Sequence, residues 1–161
     1  MGKLKDDFVK VTEVQLSYKN PVRLEDRPIV TNSLDAYELF ETSWDQDKIE
    51  LQEEFKVMFL DNAHSCLGIM NLSSGGIDQC LVDAKLVFAS ALKARATAII
   101  VAHNHPTGNL HFSEADRVLT RKLVEIGHLL NLPVLDHLIV TPDRYLSYSD
   151  VDTMPVAKFT F

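Results

Sequence analysis

Apolar and polar positions alternate along "EEFKVMFLD" (53–61), setting Phe55, Val57 and Phe59 on one side of an extended chain and Lys56, Met58 and Leu60 on the other. "NAH" interrupts the pattern and "SCLGIMNLSS" reads as the hairpin partner, closed by a turn at Gly75-Gly76. Two stretches, "TAIIVA" (97–102) and "LPVLDHLIV" (132–140), are apolar almost without interruption, as strands buried on both faces are. "VTEVQLSYK" (11–19) predicts a leading strand, "NPVRLEDRPIV" an extended loop and "RYLSYS" (144–149) a short closing strand. Helical spacing predicts three helices. One starts near Leu34, capped by Asn32 or Ser33, and carries Tyr37, Phe40 and Trp44 inward. A second, over 82–93, presents Val82, Leu86, Ala89 and Leu92. A third presents Val118, Leu119, Leu123, Ile126 and Leu130. The order β, α, ββ, α, β, α, β, β predicts an α/β (α+β) domain, with helices packed on a mixed sheet. Residues 1–32 read as an N-terminal extension and 33–161 as the domain.

Composition adds little to this picture, but charge does. The chain has 161 residues, 46% hydrophobic and 24% charged, an ordinary balance for one packed core. No apolar run reaches the roughly 18 residues of a membrane span, and no apolar stretch follows the first lysines as in a secretory signal. Two isolated cysteines do not make a disulfide framework, so the expected compartment is the cytoplasm. Net charge is −7, and no Lys/Arg cluster exceeds two residues. Such a chain does not attract nucleic acid through its overall field, so direct nucleic-acid binding is not expected.

The chemistry concentrates in "HNHPTGNLHFSEAD" (103–116). His103 and His105 lie two apart, so extended backbone points both imidazoles to one side. Pro106 biases His105 toward extended geometry, and Gly108 permits a tight turn. Asp116 follows at the start of the next helix. Two histidines and a carboxylate are a three-ligand set suited to catalytic zinc, with a fourth position left for water. Each residue also has a plainer reading. Ser113 with Asp116 is a helix-capping pattern, and His-X-His is common in exposed loops. Capping through its backbone neighbours would leave the Ser113 hydroxyl free to aim at a substrate.

H-x-H-P-x-G, then Ser113 eight residues beyond the second histidine and Asp116 three later, resembles the JAMM (MPN+) metalloprotease motif. "AHNHPTGN" and "LDHLIV", with "EEFKVMFLDN", "SSGGI", "VDAKLVF" and "ALKARATAIIVAHNHP" in order, resemble the RadC branch of that superfamily over about residues 33–149. The resemblance implies a curved mixed β-sheet sandwiched by helices, of the cytidine-deaminase-like JAB/MPN type. It implies one Zn2+ on His103, His105 and Asp116, Ser113 as donor to a tetrahedral oxyanion, and a general-base glutamate on an early strand. Glu53 takes that position by count from the "F-x-V" strand, and alternation agrees, since Glu53 shares the face of Phe55 and Val57. Glu54, beside Lys56, fits a solvated acid at the start of an edge strand. The sequence departs from the branch at Thr107, where Ser is more frequent, and at Lys85, where Arg is frequent. Its first 50 residues show no Gly-rich hairpin between short helices, the DNA-binding module of many RadC chains.

Among the remaining residues, Asp136-His137 interrupts a buried strand and needs partners. The pair reads either as support behind the metal or as a structural hydrogen-bonded unit. His64 reads as solvated in a hairpin turn, His128 as lying on a helix surface, and His111 as an exposed residue at the mouth of the site. Cys66 and Cys80 read as small core or near-surface residues, with Cys80 placed by Gly75-Gly76 to approach the site. The leading expectation is a zinc hydrolase of amide or isopeptide bonds acting on a protein or peptide, with a homo-oligomer compatible. The rivals are a DNA-repair-associated nucleic-acid protein, as the RadC name suggests, and a non-catalytic module that keeps metal for stability.

Overall fold

The computed structural model describes residues 17–76, 80–151 and 153–158. Most of the strand expected over 11–19 lies outside these residues, and 17–19 carry no strand. The described elements are α1 (Ser33–Ser43), β1 (Glu54–Leu60), β2 (Cys66–Ser74), α2 (Ala84–Lys93), β3 (Ala98–Asn104), α3 (Glu114–Leu129), β4 (Val134–Val140) and β5 (Tyr145–Ser147). The sheet order is β2-β1-β3-β4-β5. Only β3 and β4 run parallel, joined through α3; the other neighbours are antiparallel.

Period-two alternation sorts each central strand between two cores. Met58, Leu60, Ile100, Ala102, Leu138 and Val140 meet Ala36, Phe40 and Trp44 of the α1 layer. Phe55, Val57, Phe59, Ile99 and Val101 meet Ala84, Val87, Phe88 and Ala91 of α2 and Leu123 of α3. The architecture is therefore a mixed sheet between helices, with β1 and β3 buried at every position.

Three expectations change. On α2 the inward residues are Ala84, Val87, Phe88 and Ala91, while Leu86 and Leu92 are exposed. This helix is apolar on both sides, and the sheet takes the side with two alanines. On α3, Val118 and Leu130 are exposed, and Thr120, Leu123 and Gly127 are buried. Gly127 is required there, since a Cβ would stand 2.5 Å from the Leu132 carbonyl oxygen. The loop upstream of α1 is less irregular than expected. It contains a 3-10 turn at Leu24–Asp26, and Ile29 bridges Ser65. Val30 enters the core and its N–H donates to the His64 carbonyl at 2.9 Å, so packing begins before residue 33.

Candidate metal centre

β3 runs through the middle of the sheet and delivers its last residues to the start of α3. His103 lies within the strand and His105 just beyond it, and their Nε2 atoms stand 2.9 Å apart. The His105 N–H still donates to the Val140 carbonyl at 3.0 Å, so its backbone continues the β3–β4 pairing. The chain then turns. The Gly108 N–H donates to the His105 carbonyl at 3.0 Å, and Gly108 has φ +73°, a left-handed conformation that costs any side-chain-bearing residue. The turn brings the Asn109 carbonyl 2.6 Å from His105 Nδ1. A carbonyl only accepts, so Nδ1 carries a proton, which in the neutral tautomer leaves the lone pair on Nε2.

Asp116 reaches the same point from α3. The Ser113 N–H and hydroxyl both donate to Asp116 Oδ2, each at 2.7 Å, and Ser113 Oγ accepts from the Asp116 N–H at 3.1 Å. This reciprocal cap begins the helix and locks the carboxylate. Oδ1 is then left 3.3 Å from His103 Nε2, and Oδ2 lies 3.9 Å from His105 Nε2. Ser113 thus caps the helix as the S-x-x-D pattern predicts, but with its own hydroxyl, whose proton lies on Asp116 rather than toward a substrate.

Donor atoms about 2.0–2.1 Å from a tetrahedral zinc stand roughly 3.3 Å from one another. The three candidate donors lie within 4.8 Å of one another, and two of their separations are 2.9 and 3.3 Å. The set of two imidazoles and one carboxylate suits zinc in chemistry and in spacing. His103 is wholly buried, and that burial, with neighbouring His105, pushes its pKa down to about 4 against the pull of Asp116. The ring is therefore neutral near pH 7, the state a metal ligand needs.

Glu53 and Glu54 part company, as alternation requires. Glu53 lines a cavity of about 620 Å³ together with His103, His105, Ser113 and Asp116. Its backbone is held by Gly75 and Gly76, whose hydrogen bonds to it are 2.8 and 2.9 Å. Phe55 is the cross-strand partner of His103, and Glu53, two residues earlier, lines the same cavity as both. Glu54 is not a solvated acid and β1 is not an edge strand. Glu54 is 6% exposed, pairs with Lys56 Nζ at 3.4 Å and accepts from Asn71 and Ser74. Lys56 also donates to the Ser43 carbonyl and lies over the Trp44 ring.

The Asp136-His137 pair is divided between the two faces of β4. His137 Nε2 lies 2.8 Å from His103 Nδ1, and burial first, then His103 and His105, holds its pKa well below the usual imidazole range. Asp136 does not join it behind the metal. Its carboxylate accepts from the Ser147 hydroxyl and from the Ser149 and His137 N–H groups, which ties β4 to β5. His111 and Cys80 both line the cavity, the first exposed, the second half-buried with Sγ 2.9 Å from Ser73 Oγ. His64 is exposed in the β1–β2 turn at φ +58°.

Two further residues serve the site and were not singled out from the sequence. Asn104, between the two histidines, points to the opposite face and uses its whole amide. Oδ1 accepts from the Glu54 N–H at 2.7 Å and from Trp44 Nε1 at 3.2 Å, and Nδ2 donates to the carbonyls of Ile49 and Gln52 at 2.7 and 2.9 Å. One tripeptide therefore supplies two candidate ligands and the strut that fixes the Glu53-Glu54 backbone. Thr120, buried on α3, touches both His137 and the Asp116 backbone. Its signal in the sequence is its place four residues after Asp116, one turn along the same helix face.

The family model for the RadC-like JAB domain matches residues 30–153. Three similar proteins are UPF0758 proteins. That of Flavobacterium johnsoniae is 44% identical over 98 residues, covering 61% of this chain and 43% of its own length. That of Moorella thermoacetica is 40% identical over 99 residues, covering 62% and 43%. That of Haemophilus ducreyi is 41% identical over 103 residues, covering 64% and 46%. The chain thus spans less than half the length of these relatives. With a match across all but the ends of the described fold, the chain belongs to the RadC-like JAB domain family.

Proposed function

We propose that the chain is a zinc-dependent hydrolase of amide or isopeptide bonds in a protein or peptide substrate. The observation that carries this reading is the convergence of His103 Nε2, His105 Nε2 and Asp116 Oδ1 in a cavity that also contains Glu53. Bound there, zinc would supply a Lewis acid for the scissile carbonyl and bring the pKa of a water toward about 7. The Glu53 carboxylate takes the proton of the attacking water and delivers it to the leaving nitrogen. The Ser113 hydroxyl turns from Asp116 to donate to the oxygen that gains charge. Phe55 and Leu119 supply apolar wall on the cavity side of the ligands and limit competing water. A net charge of −7 supports a protein or peptide partner over a duplex.

The test is cleavage of quenched-fluorescence peptide and Lys-linked isopeptide libraries by the zinc-loaded chain. Wild type should cleave and Glu53→Gln should retain zinc while losing about 100- to 10,000-fold in rate, the usual contribution of a positioned base. No cleavage by zinc-loaded wild type across both libraries would remove the reading. Equal rates in Glu53→Gln would remove only the base.

A further inference from the structure

The hydrogen bonds behind His103 form a chain whose proton positions are forced from one end. The Asp116 backbone carbonyl can only accept, and it lies 2.6 Å from Thr120 Oγ1, so the threonine proton points at it. Having spent its one proton, Thr120 Oγ1 can only accept from the ring nitrogen 2.7 Å away, so His137 carries its proton on Nδ1. Neutral His137 then offers a lone pair at Nε2, and the 2.8 Å contact places a proton on His103 Nδ1. His103 is left with its lone pair on Nε2, the atom that faces His105 and Asp116. The path starts on the backbone of Asp116 and returns to its side chain, so one residue anchors both ends.

The surroundings keep this path dry and rigid. His137 and Thr120 are fully buried. The Tyr148 ring stacks on His137 at 5.3 Å and 10°, and Phe55 meets its edge at 5.8 Å. Water therefore has no easy route to replace the threonine hydroxyl.

We infer that Thr120 and His137 are positioning residues that fix the tautomer of His103 and so present its Nε2 lone pair to the metal. The inference rests on the zinc reading above, and it assigns the buried histidine of "LDHLIV" a task distinct from that of Asp136 beside it. Partners that orient a ligating imidazole are worth about 10- to 100-fold in metal affinity.

The experiment compares the full chain as wild type, Thr120→Val and Thr120→Ser. Zinc affinity is measured by chelator competition at pH 7.5, and histidine tautomers by long-range 1H–15N spectra of the metal-free protein. Wild type should show His103 and His137 both protonated on Nδ1. Thr120→Val should bind zinc about 10- to 100-fold more weakly and lose the single His137 tautomer. Thr120→Ser, which restores the hydroxyl but not the methyl, should return both to wild-type behaviour, as a loss of packing would not. Zinc binding by Thr120→Val equal to wild type, or His103 protonated on Nε2 in the metal-free wild type, overturns the inference and leaves the zinc reading standing. A wild type that takes up no zinc overturns the zinc reading itself, and the inference with it.

Discussion

Replacing Asn104 should unfasten the sheet from the segment that carries Glu53. The side chain is fully buried and makes four hydrogen bonds, to the Glu54 N–H, the Trp44 indole and the carbonyls of Ile49 and Gln52. Asn104→Ala strands all four partners. Gln52 is half-exposed and can turn to water, but Glu54, Trp44 and Ile49 are 6%, 4% and 2% exposed. A buried polar group left unsatisfied costs about 1–3 kcal/mol, so three of them cost on the order of 3–6 kcal/mol after partial relaxation. That is a large share of the about 5–15 kcal/mol typical of a domain. Asn104→Asp preserves shape and the Oδ1 contacts but turns an acceptor toward the two carbonyls, so a loss of similar size is expected at pH 7.5. Urea unfolding in chelator-treated buffer measures both, with Trp44, the single tryptophan, as the fluorescence probe. A loss below about 1 kcal/mol in either variant, the range of a neutral surface change, would refute the strut.

Two other perturbations test different parts of the account. In metal-free protein, His103 titrates at about 4 and His137 well below its usual value, whereas both unfolded histidines titrate near 6.5. Below about 6.5 the unfolded chain therefore binds more protons than the folded one, and stability falls as pH drops toward about 4; His103 alone accounts for about 3 kcal/mol across that window. Urea midpoints that stay flat between pH 7 and 5 would contradict the buried neutral pair. Gly127→Ala should destabilise by about 1–3 kcal/mol, because its Cβ would meet the Leu132 carbonyl oxygen at 2.5 Å. Thermal melting checks this, and the roughly 1 kcal/mol stabilisation expected from helix propensity alone would contradict it.

The strands were legible because their chemistry is one-dimensional. Alternation in "EFKVMFL" sorts the two cores without knowledge of what packs on them, and it separates Glu53 from Glu54 for the same reason. The helices were legible in position but not in facing. Leu86 and Leu92 are as apolar as the residues that turn inward, yet the buried face is Ala84, Val87, Phe88 and Ala91, a choice that the apolar pattern alone does not make. The three converging side chains could be picked out from spacing and resemblance, and His137 as one reading of its pair, while Asn104 and Thr120 could not. Asn104 and Thr120 are polar residues at buried positions, and a single sequence gives such residues the look of surface. Their value comes from distant partners, 50 to 60 positions away for Asn104 and 17 positions away for the His137 partner of Thr120. Asp136 shows the converse. Adjacent to His137 in sequence, it sits on the opposite face of β4 and braces β5 instead.

The most direct measurement is the zinc content of the purified chain after loading and extensive dialysis, by elemental analysis, with His103→Ala as control and circular dichroism to confirm that both are folded. The account predicts one zinc per wild-type chain and none in the variant. A folded wild type without stoichiometric zinc, or a His103→Ala chain that retains it, would contradict the central claim that His103, His105 and Asp116 form a metal centre.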